Sequence, residues 1–258
     1  TDAGKVFYEH AQAILKQVAD ARSAVTQSTT RPSGSVTLGL PHSISGALAL
    51  PLLMATRASY PEITLQLTEE LSGSLADQLK SGRINLAVLF DDGQLGAFTS
   101  TPLIDEELMF ICRAGSAFDP GGDSVAFADA LKQTLILPAQ QQGVRPRIEN
   151  AAHAAGLVLS NVIEINSIAI LKSALLADMG ATLLPVAPLQ DQVDSGALVA
   201  RALHSPSLAR SVTLCASRNI PLTNAAAAVG KLVHQVTREL CGRGEWRGAK
   251  IAQISGSA

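Results

Sequence analysis

Apolar side chains in the first 30 residues recur at alternating intervals of four and three positions, which is the spacing of one narrow face of an α-helix. The residues at these positions are Phe7, Ala11, Ile14, Val18, Ala21 and Val25. Polar and charged side chains fill most of the other positions, and Pro32 and Gly34 end the pattern. The pattern predicts a long helix over residues 1–30 that dimerises through this apolar seam. The alternative is a helix that packs only on its own domain.

The next segment alternates between short apolar runs and amphipathic stretches. Strands are predicted at "SVTLGLP", "PEITLQLTEE" and "INLAVLF", of which the last is apolar throughout, as in a strand buried on both faces. The polar loop "HSISG" leads from the first strand into a helix, "ALALPLLMATRASY", that starts near Pro51 or is kinked there. A shorter helix, "SGSLADQLKSG", carries Leu75 and Leu79 on one face and ends at Gly82.

The same order of elements returns from residue 134 onward. Strands are predicted at "TLILP", "SNVIEI" and "ATLLPVA", and helices at "RPRIENAAHAAG" and "SIAILKSALLADMG", the second of which has Gly180 at its end. The segment "AQQQGV" takes the place of "HSISG" as the first polar loop. Because strands alternate with helices in both segments, we predict an α/β protein with two similar Rossmann-like subdomains, each built on a mostly parallel sheet.

Two further apolar segments stand where the chain must pass from one subdomain to the other. They are "TPLIDEELMFICRAGSAF" and "RSVTLCASRNIPLT", and both are predicted to be crossover strands. The last helix, "NAAAAVGKLVHQVTREL", is predicted to return to the first subdomain. These assignments put the first subdomain at residues 34–112, completed by 218–241, and the second at 113–217. Residues 242–258 are expected to be a loosely ordered tail without a role.

Polar residues follow the predicted strands at the ends where open parallel sheets bind their ligands. In the first subdomain these are His42, Ser43 and Ser45, with Ser72 and Ser74 after the second strand; in the second they are Gln140, Gln141 and Gln142, with Asn166 and Ser167. Since all four stretches precede predicted helices, we expect them to line a cleft that binds a small anion or a carboxylate-bearing metabolite. Any one serine or asparagine can instead be a helix N-cap, but glutamine is a weak cap.

Composition and motifs narrow the classes of function. With 47% hydrophobic residues and a net charge of −2, the chain is globular in composition and a poor candidate for binding DNA by itself. Its apolar runs are too short to span a membrane, and no signal peptide is expected. The cysteines form no C-x-x-C motif and are interpreted as buried hydrophobes, and the histidines lack metal-ligand spacing. No catalytic residues, cofactor or metal site are therefore predicted.

Several of these segments resemble the regulatory part of LysR-type transcriptional regulators. "TDAGKVFYEHAQAIL" is similar to the family's linker helix, "LPLLMATRASYPEITLQLTEELSGSLADQLKSGRINLAVLF" to its first regulatory subdomain, and "EINSIAILKSALLADMGATLLPVA" to its second. The resemblance covers residues 1 to about 240 and implies a fold like that of type 2 periplasmic binding proteins, with the N-terminal DNA-binding domain missing. "MATRASYPEI", "SGRINLAV" and "LPAQQQGVRPRIE" are most similar to the nitrogen assimilation control and sulfur-assimilation regulators.

The resemblance also implies ligand-binding residues and partners. The ligand loops of the family carry over onto His42, Ser43 and Ser45, onto Phe90 and Asp91 after the third strand, and onto Gln140 and Gln141. Family members often have serine or threonine near the position of His42, so histidine there argues against a simple sulfate site. A small-molecule effector is implied, although regulators of the nitrogen assimilation type work without a co-inducer, which leaves open whether one is needed. The family further implies a cytoplasmic homodimer or homotetramer that contacts DNA only through the missing domain; contact with RNA polymerase is left open.

The alternative function is that of a periplasmic-type solute-binding protein, which has the same two-subdomain architecture. The missing signal peptide and the helical seam argue against it, because a monomeric binder has no use for a dimerisation helix. The two functions predict different oligomeric states, a dimer or tetramer for the regulator and a monomer for the solute binder.

Overall fold

The computed structural model describes residues 1–26, 31–93, 95–139 and 143–252. Its internal contacts divide the chain into two compact units. Unit 1 contains Thr1–Leu103 and Val212–Leu240, and unit 2 contains Ile104–Ser211 and Cys241–Ala252. The chain thus passes from one unit to the other inside its long strands. The subdomain boundaries that the sequence analysis placed at residues 112 and 217 stay a prediction.

The sheet of unit 1 is built around parallel strands. β1 (Gly34–Pro41) pairs in parallel with both β2 (Ile63–Glu70) and β3 (Leu86–Phe90). The end of β11 (Ala209–Ser217) pairs antiparallel with β3. Leu86 to Leu89 are all buried, in agreement with the unbroken apolar run that predicted a strand covered on both faces.

Helices with one apolar face cover this sheet. α2 (His42–Ser59) buries four residues at intervals of four, and α3 (Ser72–Lys80) buries Leu75 and Leu79. α3 lies so close to β1 that a Cβ atom on Gly39 would be 2.5 Å from Cδ2 of Leu75. α8 (Asn224–Gly242) buries a continuous face of alanine, valine and leucine residues.

The start of α2 differs from the prediction. The helix begins at His42, so the expectation of a polar loop at "HSISG" with a helix start near Pro51 is wrong. Ile44 and Leu48 are fully buried one turn apart, and their burial favours helix directly after Pro41. Pro51 lies inside the helix, where it has no N–H to donate.

The strands of unit 2 form a mixed sheet and a smaller parallel pair. The sheet has the order β6 (Ser124–Ala126), β10 (Leu198–His204), β5 (Met109–Arg113) and β9 (Thr182–Leu184). β7 (Leu135–Leu137) pairs in parallel with β8 (Val162–Glu164). The helices are α4 (Phe127–Ala130), α5 (Arg145–Ala154), α6 (Ile168–Leu176) and α7 (Gln190–Asp194), and 3₁₀ turns cover Leu95–Ala97 in unit 1 and Ala187–Leu189 in unit 2.

The predicted crossover segments are strands. β4 (Phe98–Glu107) runs from unit 1 into unit 2, and β11 runs back. β12 (Ala249–Ile251) pairs antiparallel with β4 at the edge of the sheet, in the order β12-β4-β11-β3-β1-β2. The expectation of a loosely ordered tail from residue 242 is therefore wrong for its described part, in which Trp246 is only 2% exposed.

Glycines after two helices have different roles. Gly82, with φ of 73°, makes the left-handed turn that follows α3, as expected. After α6 the left-handed residue is Asp178, with φ of 61°, and not Gly180. Position 180 needs glycine because the backbone of Thr134 lies close to it: a Cβ atom on residue 180 would be 2.6 Å from the carbonyl oxygen of Thr134.

Helix α1 (Asp2–Thr26) packs on unit 1 by one face. Ala13 is buried, and the Oδ2 of Asp20 accepts hydrogen bonds from Nζ of Lys16 (2.7 Å) and Nδ2 of Asn85 (3.0 Å). Asn85 also accepts a hydrogen bond from the backbone N–H of Thr37 in β1, at 2.9 Å. Asn85, in the "SGRINLAV" motif, therefore connects α1 to the sheet.

Candidate functional site

The first turn of α2 brings two of the predicted residues to a carboxylate at the end of β2. The hydroxyl of Ser45 donates to Oε1 of Glu69 at 2.5 Å, and Nδ1 of His42 lies 3.2 Å from the same oxygen. The parallel register sets Leu40 beside Glu69, so Glu69, the second-last residue of β2, lies near the start of α2. Sequence reasoning missed Glu69; the signal available was a charged residue at the carboxyl end of a strand parallel to β1.

The carboxylate of Glu69 changes the chemistry expected in unit 1. Its oxygen accepts from Ser45 and lies beside the ring of His42, and both residues were expected to donate to an anion. Its negative charge also lies near the positive end of the α2 dipole. This corner of unit 1 therefore suits a hydrogen-bond donor, such as an ammonium or hydroxyl group, better than a second anion.

Ser43, Phe90 and Asp91 lie at the same edge of the unit 1 sheet. β1 and β3 are parallel neighbours, so the residues that follow them come together at their carboxyl ends. Ser43 and Phe90 are half-buried, and Asp91 is exposed. Oδ1 of Asp91 accepts a hydrogen bond from the N–H of Gly93 at 3.0 Å, which closes a tight local turn.

All four predicted polar stretches were expected to precede helices, and the structure corrects two of them. His42, Ser43 and Ser45 lie inside α2, and Ser72 and Ser74 lie inside α3. Their hydroxyl groups therefore belong to the first helical turn, where local partners are near. Ser74 is an example, since its Oγ accepts from Nε2 of Gln78 at 3.1 Å.

In unit 2, Asn166 and Ser167 do precede a helix. Oγ of Ser167 accepts from the N–H of Ile170 at 3.4 Å, so the N-cap alternative is correct for this serine. Oδ1 of Asn166 accepts from the N–H of Ala139 at 2.8 Å and joins the chain after β8 to the chain after β7. The predicted residues Gln140 and Gln141, with Gln142, lie outside the described residues.

A buried arginine opens α5, at the same end of unit 2. Arg145 is 6% exposed, and its Nε donates to Oε1 of Glu149 at 2.7 Å. Nη1 of Arg145 is buried and has no hydrogen-bond partner in the described part of the chain. Sequence reasoning used Arg145 only as part of a family motif and assigned it no contact.

A buried charged cluster holds the C-terminal segment to the long strands. Nε and Nη2 of Arg210, in β11, donate to Oε2 of Glu106 at 2.7 and 2.6 Å. Nε1 of Trp246 donates to Oε1 of the same carboxylate at 2.8 Å. All three residues are at most 3% exposed. The cluster gives both carboxylate oxygens a hydrogen-bond donor, and it explains why residues 243–252 pack against the long strands.

Arg201 and Asp119 form a further ion pair of unit 2. Arg201 binds Asp119 with two parallel hydrogen bonds, at 3.1 and 2.8 Å, and this holds the pKa of Asp119 below its usual value.

Burial raises the pKa of Cys112, in unit 2, to about 12 and that of Cys215, in unit 1, to about 12. Both thiols are therefore protonated at neutral pH and are poor nucleophiles.

The apolar seam of α1 faces away from the sheet of unit 1. Phe7, Ile14 and Val18 are 75%, 62% and 46% exposed, while Ala11 is half-buried and Ala21 is exposed. The side chain of Val25 lies outside the described residues. The helix therefore packs on its own unit, as the alternative required, but it does so through a different face and leaves the seam uncovered.

Two classes of site are not found in the described residues. No group of three or more histidine, cysteine or acidic side chains there could hold a metal ion. Among the described helices, none is both long and apolar enough to cross a membrane.

Two α/β units linked by long strands, with polar residues at the carboxyl ends of parallel strands, are the architecture of two-subdomain ligand-binding proteins. A profile of the LysR substrate binding domain matches residues 29–238. The chain belongs to the LysR family, which confirms the family inferred from the sequence, and it is the effector-binding part of such a regulator.

Relatives of this chain are bacterial regulators. The nitrogen assimilation regulatory protein nac of Klebsiella aerogenes is 31% identical over 234 residues, which cover 90% of this chain and 75% of nac. The regulator BbuR of Bordetella bronchiseptica is 29% identical over 253 residues, covering 96% and 76%. These relatives are regulators, so the expectation that the chain is not an enzyme agrees with them.

Solved structures of low sequence identity share the fold. A reduced form of OxyR from N. meningitidis superposes with a TM-score of 0.69 at 18% identity, covering 86% of this chain and all of that one. The effector binding domain of QuiR in complex with shikimate superposes with a TM-score of 0.68 at 16% identity, covering 80% and 98%. The predicted two-subdomain α/β fold is thereby confirmed.

Proposed function

We propose that this chain binds a small polar metabolite at the carboxyl ends of its parallel strands and assembles through α1. In the longer protein, both events act on DNA-binding heads that lie outside this chain. The observation that carries the proposal is the uncovered apolar seam on α1 of an effector-binding domain, because a sensor that works as a monomer has no need of it.

The proposed ligand contacts are the residues predicted from the sequence, with one addition. In unit 1 they are His42, Ser43, Ser45, Phe90 and Asp91, together with Glu69; in unit 2 they are Gln140, Gln141, Asn166 and Ser167. The polar groups at the edge of the unit 1 sheet support this assignment, as does the bond between Asn166 and Ala139 in unit 2.

The regulated pathway is proposed to be nitrogen assimilation. Two relatives at 31% and 30% identity carry that function in their names, from Klebsiella aerogenes and Escherichia coli. We expect the protein to act in the bacterial cytoplasm as a homodimer or homotetramer, with RNA polymerase as a further partner. We propose that the oligomer has two packing arrangements. A ligand shifts the equilibrium between them only if it binds one arrangement more tightly than the other.

Light scattering tests the assembly. We expect the wild-type chain to have at least twice the mass of one chain, and Ile14→Glu with Val18→Glu to reduce it to a monomer, since two buried charges oppose the seam. Ala19→Glu is the matched control, because Ala19 is exposed on α1 but lies outside the seam. A monomeric wild-type chain would favour the solute-binding alternative and would refute the proposed assembly.

A thermal-shift screen against nitrogen- and sulfur-pathway metabolites tests the sensing function. A ligand present at about 100 times its Kd stabilises the fold by about 2.7 kcal/mol. The double variant Ser43→Ala, Gln140→Ala is expected to lose the shift, while Ser173→Ala, which removes a bond within α6, is expected to keep it. A full shift in the double variant would show that the site is elsewhere, and no shift with any metabolite would favour a regulator that needs no effector.

A further inference from the structure

Helix α1 contacts unit 1 through a face that is mostly polar. This docking face consists of Ala13, Lys16, Gln17 and Asp20, at positions i, i+3, i+4 and i+7 of the helix. Among the side chains of α1 that the structure describes, only Ala13 is buried, while those of Lys16 and Asp20 are 20% and 18% exposed. Burial of one alanine contributes little to the free energy of docking. The position of α1 on unit 1 therefore depends mainly on polar contacts.

Asn85 makes the central contact with the docking face. Its Nδ2 donates to Oδ2 of Asp20 at 3.0 Å, and its Oδ1 accepts from the N–H of Thr37, in β1, at 2.9 Å. The backbone N–H of Asn85 also donates to the carbonyl oxygen of Thr37, at 2.9 Å. Because two hydrogen bonds hold Asn85 on the sheet, its amide donor has a fixed direction toward α1.

Two further contacts involve the same face of α1. Nζ of Lys16 donates to the same Oδ2 of Asp20, at 2.7 Å. Nε2 of Gln17 lies 3.5 Å from the carbonyl oxygen of Ser81, and a Cβ atom on Gly82 would be 2.8 Å from this Nε2. Hydrogen bonds depend on direction and distance, so these contacts together define one position of α1 on unit 1.

The docking face and the apolar seam lie on different sides of α1. Ile14 and Val18, in the seam, are 62% and 46% exposed while α1 is docked. An oligomer that forms through the seam can therefore keep the contact between Asn85 and Asp20. In such an oligomer, the docking contact sets the angle at which each copy of unit 1 extends from the paired helices.

We infer that Asn85 is a positioning residue that fixes α1, and with it the apolar seam, in one orientation on unit 1. The consequence for assembly rests on the proposed function, because α1 is the helix through which the chain is proposed to assemble. The Asn85 amide is suited to this role since it donates to a carboxylate on α1 and accepts from the sheet. A carboxylate in its place would repel that of Asp20.

The test measures the distance between α1 and unit 1 by double electron–electron resonance. Spin labels are attached through Ala19→Cys, on α1, and Ala58→Cys, on α2, because both positions are exposed and lie outside the docking face. The half-buried Cys241 is removed by Cys241→Ser. Labelled chains are mixed with an excess of unlabelled chains, so that each distance is measured within one chain. We expect the labelled chain to give one narrow distance distribution.

Three changes at the contact have different expected effects. Asn85→Asp keeps the acceptor for Thr37 but places a carboxylate opposite Asp20. It is expected to broaden the distribution and to increase the population with α1 released by roughly tenfold or more, because a hydrogen bond to a charged group is lost. Asp20→Ala leaves the sheet unchanged and is also expected to broaden the distribution. Asn85→Asp combined with Asp20→Asn exchanges the amide and the carboxylate, so it is expected to restore the narrow distribution.

Gln12→Glu is the matched control. It makes the same change from an amide to a carboxylate at an exposed position of α1, where Nε2 of Gln12 donates to the hydroxyl of Tyr8. Since Gln12 is outside the docking face, the distribution is expected to stay narrow.

Three results would overturn the inference. The first is a broad distribution in the labelled chain without further changes. The second is a narrow distribution in both Asn85→Asp and Asp20→Ala. The third is a combined variant that is as broad as Asn85→Asp. Light scattering separates this inference from the proposed assembly: a monomer with a narrow distribution would refute only the assembly, and an oligomer with a broad one would refute only the inference.

Discussion

Replacing Glu106 with glutamine tests whether the buried charged cluster holds the fold together. The carboxylate of Glu106 accepts from both Arg210 and Trp246, and the side chains of Glu106 and Arg210 are 1% and 2% exposed. Glutamine has nearly the same shape, but it is neutral and has one oxygen in place of two. The variant therefore removes the carboxylate charge that Nε and Nη2 of the buried Arg210 bind.

The expected loss is large. Removing one partner of a buried ion pair costs about 3–5 kcal/mol, because the remaining charge stays buried and unpaired. For a chain of this length, each kcal/mol lowers the melting temperature by roughly 2–4 °C. We therefore expect the melting temperature of Glu106→Gln to fall by about 6–20 °C.

The measurement is thermal unfolding at pH 7, followed by circular dichroism and by tryptophan fluorescence. Trp246 is the only tryptophan of the chain and is 2% exposed, so its emission reports directly on the cluster. The matched control is Glu107→Gln, the same substitution one residue later. Glu107 pairs with Lys250, whose side chain is 75% exposed, and loss of an exposed pair is expected to leave the melting temperature unchanged.

Equal melting temperatures for Glu106→Gln and the wild-type chain would refute the reasoning. A large fall in Glu107→Gln would refute it as well, because exposed and buried pairs would then be equivalent. A further variant separates charge from packing. Adding Arg210→Met to Glu106→Gln also removes the buried positive charge that Glu106 balanced, so the double variant is expected to recover much of the lost stability.

Four other predictions concern burial and close contacts. Burial lowers the pKa of His234 from its usual value of 6.5, so on acidification the unfolded chain binds the proton before the folded chain does. The stability of the fold is therefore expected to decrease as the pH falls below 6.5. In a plot of the urea midpoint against pH, His234→Gln is expected to show a smaller decrease in that range. Gly180→Ala places a methyl group against a backbone carbonyl and is expected to cost about 1–3 kcal/mol in urea unfolding. Gly73→Ala meets nothing within 4 Å inside α3, and is expected to stabilise by up to about 1 kcal/mol. Cys112 and Cys215 have pKa values raised to about 12, so iodoacetamide at pH 8 is expected to label them only after unfolding, as mass spectrometry would detect.

The order of strands and helices could be predicted from the sequence, because the spacing of apolar residues shows which positions are buried. The apolar run of β3 and the spacing of Leu75 and Leu79 each correspond to a buried strand or helix face. Boundaries were less accessible. The start of α2 at His42 depends on the burial of Ile44 against the sheet, which outweighs the polar residues around it.

Only part of the candidate site could be predicted from the sequence. Residues that follow strands could be found by position, because the carboxyl ends of parallel strands lie at one edge. The hydrogen-bond partners of these residues could not be found in this way. Glu69 meets Ser45 through the register of β1 and β2, and the pairing of Asn166 with Ala139 joins positions 27 residues apart.

The sequence by itself determined the α/β class, the repeated order of strand and helix, the family and the apolar seam of α1, because all of these are periodic or local patterns. Tertiary structure decided which face of α1 packs on unit 1, which charges are buried, and whether the segment after α8 is ordered. Glu106 and Glu107 are neighbours of identical chemistry, yet only Glu106 is buried against Arg210 and Trp246. The physical reason is that the solvation of a charge depends on residues that are 104 and 140 positions away in the chain and adjacent only after folding.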